Sequence, residues 1–267
     1  MAGTLSPVQV LSHVTDELTD LIRSATRVAV LSGAGISAES GVPTFREAQT
    51  GLWEQFSAED LATSDAFHFA PALVWTWYRW RQSLILQVEP NPGHTALARW
   101  QQGLRAAGGD LSIATQNVDD LHERAGAHVL AHLHGSIFDH RCAECGEPAE
   151  LPVPGYDGFA APPEPEDPPT CTACGALVRP GVVWFGEMLP MEAFDAASAA
   201  VRSADVVVVA GTSGIVQPAA SLPLLALERG TPLIEINPVE SDISDAMDYC
   251  LRGPSGTMLP ALADAAL

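Results

Sequence analysis

Residues 27–46 read RVAVLSGAGISAESGVPTFR. The first six suit a buried strand, and Gly33-Ala34-Gly35-Ile36-Ser37-Ala38 follows with no spacer. That succession fits the G-x-G-x-x-G/A fingerprint, with Ala38 in the last place. Glycines there let the backbone turn sharply and approach a pyrophosphate. A strand-to-helix turn without a ligand satisfies the same letters. A hydride-transfer site would show a second strand ending in an acid about 20 residues on. Residues 51–56 read GLWEQF instead, which is aromatic and helical. Before them, Gly41 and Pro43 mark a loop, and Arg46 offers a cation to phosphate.

Outward from this stretch, short β-branched runs alternate with helical patterns. Strands are expected at 27–32, 111–115, 129–133, 182–185, 205–210 and 233–236. Helices are expected at 7–25, 71–88, 94–107, 190–203, 218–229 and 259–266. The run VVVV at 206–209 is of the kind that a strand buried on both faces shows. The alternation predicts an α/β fold, a Rossmann-like parallel sheet with helices on both faces. Two stretches depart from it. Residues 51–87 gather Trp53, Phe56, Phe67, Phe69, Trp75, Trp77, Tyr78 and Trp80, a helical insertion. Residues 141–179 carry two CxxC pairs and little periodicity. The expected division is a large domain of 1–50, 88–140 and 180–267, and a small one of 51–87 and 141–179. Within the latter, 151–170 holds seven prolines and no assignable role.

The chain has 267 residues and a net charge of −20, from 33 acids against 13 bases. That balance opposes phosphate-backbone binding, so no nucleic acid is expected, and it attracts basic partners such as lysine-rich peptides. No apolar run approaches the ~20 residues of a membrane span. Residues 1–7 lack the pattern of a secretory signal. A soluble, cytoplasmic protein is expected. Of five cysteines, Cys142 and Cys145 form one CxxC pair, Cys171 and Cys174 another, and Cys250 stands alone. Gly146 and Gly175 follow the pairs, where a tight turn would aim backbone amides at sulfur. Four thiolates close a tetrahedral zinc site with no open position, which is structural rather than catalytic. A redox dithiol or two disulfides are the rivals.

Ligands of parallel sheets lie beyond the carboxyl ends of the strands. Three expected ends are polar: Gln116-Asn117-Val118-Asp119-Asp120, Gly211-Thr212-Ser213 and Asn237-Pro238. Amide, hydroxyl and carboxylate groups suit ribose and carboxamide, although each alone also suits a helix cap. A fourth end runs into His134-Gly135, where a neutral imidazole would serve as general base near pH 7.

Together, in this order, these motifs resemble the sirtuin family. G-A-G-I-S followed by G-x-P-x-F-R appears at 33–37 and 41–46, and T-Q-N-x-D-x-L-H at 115–122. The catalytic H-G is His134-Gly135. The zinc cysteines, W-F-G-E at 184–187, G-T-S at 211–213 and Asn237 complete the pattern, over about 29–259. The resemblance implies a protein-lysine deacylase that consumes NAD and holds one structural Zn2+. NAD would meet Gly33, Ala34, Gly35, Ala38, Thr44, Phe45 and Arg46 at its pyrophosphate end. Gln116, Asn117 and Asp119 would hold ribose and carboxamide. Gly211, Thr212, Ser213, Asn237, Pro238, Val239 and Ser255 would hold the adenosine half. The acyl oxygen would displace nicotinamide from the ribose, with His134 taking a proton from the ribose hydroxyls. Products would be free lysine, nicotinamide and O-acyl-ADP-ribose, with Phe45 shielding the reacting sugar. The acyl-lysine protein or peptide would pair as a strand with Val183, Phe185, Gly186 and Glu187.

One sirtuin subclass carries Tyr-x-x-Arg in its acyl pocket, and Tyr78-Arg79-Trp80-Arg81 aligns with it. Tyr78 and Arg81 share a helical face, whereas Arg79 points elsewhere. A guanidinium binds a carboxylate through two parallel hydrogen bonds, and a phenol adds a third. With the small Ala62, this implies succinyl or malonyl groups ahead of acetyl. Alternatives are a mainly acetyl-directed enzyme, an NAD-dependent oxidoreductase, an ADP-ribosyltransferase and a zinc-ribbon binding module.

Overall fold

The structure, a computed structural model, describes residues 9–43, 58–158 and 163–267. Val206–Ala210 is buried at every position, as a strand covered on both faces must be. Its side chains alternate between two cores. Val206, Val208 and Ala210 enter one, and Val207 and Val209 enter the other. Arg27–Ser32 repeats this, with Val28 and Val30 on the first side and Ala29 and Leu31 on the second.

The strands in chain order are β1 (Gln9–Leu11), β2 (Arg27–Ser32), β3 (Asp110–Thr115), β4 (Val129–His132), β5 (Gly135–Cys142), β6 (Val178–Val182), β7 (Val206–Ala210), β8 (Leu233–Asn237) and β9 (Tyr249–Arg252). Seven of them form one parallel sheet in the order β1-β9-β8-β7-β2-β3-β4. β5 and β6 form a separate antiparallel pair. The helices are α1 (Asp16–Ser24), α2 (Gly35–Ala38), α3 (Ala58–Leu61), α4 (Ser64–Phe69), α5 (Pro71–Gln87), α6 (Pro92–Ala106), α7 (Leu121–Arg124), α8 (Met191–Ser203) and α9 (Ser255–Ala266). Residues of α1, α6 and α9 fill the core on one face of the sheet, with Trp100 and Leu97 at its centre. α8 and the 3-10 helix Ala219–Arg229 cover the other. None of the described helices is long and apolar enough to cross a membrane.

A third core joins α5 to the β5–β6 pair through Trp75, Trp77, Tyr78, Ile137, Val178 and Trp184. β5 and β6 run through residues 140 and 180, so the hairpin leads directly from the sheet edge to the cysteines. Trp53 and Phe56 lie outside the described residues.

Several sequence expectations shift. The helix expected over 7–25 begins only at Asp16, where Thr15 Oγ1 accepts from Leu18 N at 3.3 Å and caps it. Ahead of it, Gln9–Leu11 pairs in parallel with β9 as an edge strand. The expected strand at 182–185 is instead Val178–Val182. Its partner β5 starts at Gly135, opposite Val182, so the apolar run outlasts its ladder. The 218–229 segment is 3-10 rather than α, with Pro223 removing an N–H donor from its interior. The last helix opens at Ser255, four residues before the expected 259. β9 has only four residues and escaped the periodicity.

β2 and β7 are neighbours, so the loops after them collide unless they lack side chains. Gly35 N donates to Gly211 O at 2.7 Å. A Cβ on Gly211 would lie 2.3 Å from Ile36 N, and that residue has φ +64°. Gly211→Ala is therefore expected to lose at least about 2 kcal/mol of unfolding free energy, from overpacking and left-handed strain. Gly155→Ala, whose Cβ meets nothing within 4 Å, should change it by about 0.5 kcal/mol or less. Urea unfolding of the two variants measures the contrast.

Candidate active site and zinc centre

The ends of β2, β3, β7 and β8 meet along one edge of the sheet, because parallel neighbours all stop on the same side. Gly33 N donates to Ala210 O at 3.0 Å. A Cβ on Gly33 or Gly35 would come within 2.8 Å of Gly211. These glycines thus serve loop-to-loop contact as well as any ligand. Ala34 and Ala38 are half-buried in the same turn. Across the edge, Gln116 Nε2 donates to Thr212 Oγ1 at 3.3 Å. Asn237 Nδ2 donates to Thr212 O at 2.9 Å, and Ser213 O accepts from Asp242 N. The three polar ends foreseen from the sequence are therefore brought together. Pro238 and Val239 are exposed beside them. Ser255 is buried, and its Oγ has no hydrogen-bond partner among the described residues. A buried hydroxyl left without a partner at this edge suits a polar ligand such as NAD. Thr44, Phe45 and Arg46 lie outside the described residues.

Asn117 and Asp119 are both buried, and a residue unassigned from the sequence ties them together. Asn117 Nδ2 donates to Ser37 Oγ at 3.0 Å, and Ser37 Oγ donates to Asp119 Oδ2 at 2.9 Å. Burial pushes the Asp119 carboxyl up, against hydrogen bonds from Leu121 N and Ser37 that lower it. Behind them, Ser32 Oγ donates to Thr115 Oγ1 and lies 2.9 Å from His122 Nε2. Burial draws His122 down to about 3, so it is neutral at pH 7. The last letter of the T-Q-N-x-D-x-L-H pattern was its only sequence signal.

His134 sits in the turn between β4 and β5. Its Nδ1 lies 2.9 Å from Gln116 O. A carbonyl only accepts, so Nδ1 carries the proton and Nε2 of the neutral ring is the basic nitrogen. Burial lowers its pKa, with the Gln116 bond opposing.

Another residue missed from the sequence is Glu235, a carboxylate inside the apolar strand β8 and 1% exposed. It accepts from Ser244 Oγ and from Arg252 NH1, each at 2.6 Å, and from Ser241. This network fixes the loop that follows Asn237. A charged residue in an otherwise apolar strand was the available clue.

On α5, Tyr78 and Arg81 are both buried. Tyr78 Oη accepts from Trp184 Nε1 at 3.1 Å, which leaves its own O–H to donate. Burial raises its pKa above the usual phenol range and keeps that proton on. Arg81 lies 5.0 Å over the Trp77 ring, within electrostatic reach of Tyr78 and Asp119. It packs beside Val42, Pro43 and Trp80. Ala62 O accepts from Phe185 N at 2.9 Å. Val183 N donates to His134 O at 2.8 Å. Gly186 has φ +85°. The Glu187 carboxylate is committed to Arg179, to Trp184 N and to Ser64 Oγ.

The cysteines Cys142, Cys145, Cys171 and Cys174 bring all four Sγ atoms within 4.8 Å of one another. Cys142 and Cys174 lie 3.4 Å apart, and Cys145 and Cys171 3.8 Å. A zinc tetrahedron with ~2.3 Å bonds has sulfur-to-sulfur edges of about 3.8 Å. The spacings fit that metal and exclude disulfides, whose sulfurs lie ~2.05 Å apart. Glu144 N and Cys145 N each donate to Cys142 Sγ at 3.4 Å and help draw its pKa down to about 6. Gly146 and Gly175 both have positive φ, the tight turns that each pair needs. The module has little apolar core of its own, so metal removal should unfold it. A strong chelator is expected to lower the melting temperature, and four additional thiols should titrate with a thiol reagent.

Comparison with known proteins bears on this arrangement. The Sir2 family model matches residues 33–218. An NAD-dependent protein deacylase of Methylococcus capsulatus (strain ATCC 33009 / NCIMB 11132 / Bath) is 48% identical over 256 residues, covering 94% of this chain and 96% of that protein. A crystal structure of a Sir2 homolog–NAD complex superposes with a TM-score of 0.85 at 43% identity, covering 99% of this chain and 98% of that one. A Sir2 structure bound to acetylated peptide gives 0.77 at 28% identity, covering 93% and 96%. Fold and sequence agree over nearly the whole length, and this chain belongs to the Sir2 family, the sirtuins.

Proposed function

We propose that this sirtuin removes acidic acyl groups, succinyl or malonyl, from protein lysines, with weaker activity on acetyl-lysine. At the coarser level the chain is an enzyme, an NAD-dependent protein deacylase, with NAD and one structural zinc as cofactors. The observation that carries the acyl preference is the buried pair Tyr78 and Arg81 beside Asp119. A guanidinium and a phenolic O–H on one helix face match a carboxylate at the end of an acyl chain. Ala62 keeps the wall beside them small.

Bound NAD supplies a ribose carbon from which nicotinamide can leave. The chain's own residues do the rest. Asn117 and Asp119, held by Ser37, take the carboxamide, and Gln116 a ribose hydroxyl. The glycine loop from Gly33 to Gly35, with Thr44 and Arg46, takes the pyrophosphate. Gly211–Ser213, Asn237–Val239 and Ser255 take the adenosine half. His134 accepts a proton at Nε2 from a ribose hydroxyl, since Nδ1–H is held on Gln116 O. Phe45 shields the sugar. The peptide lies as a strand against Val183–Glu187. Products are lysine, nicotinamide and O-acyl-ADP-ribose. In this reading 51–87 and 141–179 form the small lobe, and 1–50, 88–140 and 180–267 the large. A cytoplasmic setting belongs to the same proposal, because reducing conditions keep zinc cysteines from pairing.

Mass spectrometry of acetyl-, malonyl- and succinyl-lysine peptides with and without NAD tests the reading. Desuccinylation should exceed deacetylation. Arg81→Met should lower desuccinylation about 10- to 100-fold, the scale of a lost charge-assisted hydrogen bond, and deacetylation far less. Equal losses on the two substrates would overturn the pocket assignment. His134→Ala should cost about 10²-fold or more in turnover. Because burial holds His134 below its ordinary pKa, the base is neutral at pH 7. The acid limb of kcat/KM should then fall below about pH 6.5, and a limb above pH 7 would remove His134 from that role.

A further inference from the structure

α5 carries two buried guanidiniums, Arg79 and Arg81, two residues apart. At about 100° per residue they point to well-separated faces. Arg81 belongs to the acyl side with Tyr78. Arg79 is satisfied elsewhere. It donates to Gln82 Oε1 at 2.7 Å and to Pro152 O, and lies 5.7 Å over the Trp75 ring. Pro152 opens the proline-rich segment 151–170.

That segment touches α5 repeatedly. Glu166 N donates to Thr76 Oγ1 at 2.7 Å, and Thr76 Oγ1 reaches Glu166 O at 3.4 Å. Gln87 Nε2 donates to Tyr156 O at 3.1 Å. A Cβ on Gly158 would lie 2.2 Å from Leu84 Cα, so the segment rests on the helix backbone itself. Thr76, Arg79 and Gln87 fall within about 80° of one another around the helix, and Tyr78 and Arg81 lie on the opposite side. The segment grips the back of the helix whose front presents the acyl-binding pair. Its Pro152 carbonyl answers a buried cation, and a buried cation stripped of an acceptor is costly. Arg79 thereby makes the grip obligatory.

We infer that the two described stretches of this segment, 151–158 and 163–170, form a strap that sets acyl specificity by fixing the rotation and depth of α5, with Arg79 as its positioning residue. The inference rests on the acidic-acyl reading of Tyr78 and Arg81. Arg79 touches no substrate. It acts by holding Arg81 where two parallel hydrogen bonds to a carboxylate are possible, and that geometry tolerates little rotation. Acetyl-lysine needs no such alignment, so its turnover does not depend on the strap.

The test compares kcat/KM on succinyl- and acetyl-lysine versions of one peptide, for the full-length zinc-loaded enzyme. The variants are Arg79→Met, Arg79→Lys, Gly158→Ala and Arg81→Met. Arg79→Met and Gly158→Ala should each lower the succinyl-to-acetyl ratio about tenfold, the scale of one misaligned charge-assisted bond. The change should come from the succinyl KM, with deacetylation and the KM for NAD within about twofold. Arg79→Lys, which can still donate to Pro152 O, should recover the ratio to within about threefold. If Arg79→Met fails to fold, Gly158→Ala reads the strap from the other side of the contact, because its added Cβ presses on the α5 backbone at Leu84 while every residue of α5 stays in place. A ratio unchanged in Arg79→Met and Gly158→Ala, while Arg81→Met collapses it, would overturn the strap and leave the pocket standing. A ratio unchanged in Arg81→Met would instead overturn the acidic-acyl reading.

Discussion

Two loops meet backbone to backbone where β2 and β7 end, and the rest of the site depends on that contact. Gly35 N reaches Gly211 O at 2.7 Å, a distance that no Cβ on either side permits. The contact lets α2 start directly from the glycine loop. α2 in turn carries Ser37 to the place where its hydroxyl joins Asn117 to Asp119. It also brings the Thr212 hydroxyl within reach of Gln116. A side chain at either glycine would separate the strand ends that form the polar edge.

Most polar groups at that edge, Ser255 excepted, are paired among themselves before any ligand arrives. Gln116 uses its carbonyl to set the His134 tautomer and its side-chain amide to hold Thr212. Glu235, Arg252, Ser241 and Ser244 secure the loop after Asn237. Buried polar groups of this kind are costly if unsatisfied and rigid if complete. Rigidity at this edge is what a reaction at one sugar carbon requires.

The surroundings of α5 follow a different rule. α5 is buried on every side, including Thr76, Arg79, Gln82 and Ser83, so it has no solvent face to orient it. Its rotation is set by what packs around it: the aromatic third core, the β5–β6 pair and the proline-rich segment. The cysteine cluster stands at both ends of that segment, with Cys145 before it and Cys171 after it. The cysteine cluster and α5 are thus joined through one stretch of chain that looks featureless by composition.

Much of this was legible in the residues. Continuous apolar runs at 206–210 and 27–32 require strands covered on both faces, and a parallel sheet follows from their alternation with helices. CxxC spacing names a metal, because thiolate chemistry depends on residue type and short-range turns. Polar letters after apolar strands mark the edge where ligands bind. Other features were not legible. The start of α1 hinged on a Thr15 cap, and β1 exists only because β9 lies beside it. The run at 182–185 could not know that its partner ends at Gly135. Ser37 and His122 acquired their roles from residues 80 or more positions away, and Glu235 from a loop and a strand that follow its own. The sequence by itself determined most of the sheet strands and long helices, the paired cysteines and the set of polar strand ends, because these depend on local periodicity and residue chemistry. Only the tertiary structure decided which glycines must touch, which nitrogen of His134 is basic and what the Arg79 guanidinium binds, because each depends on a neighbour that distant sequence supplies.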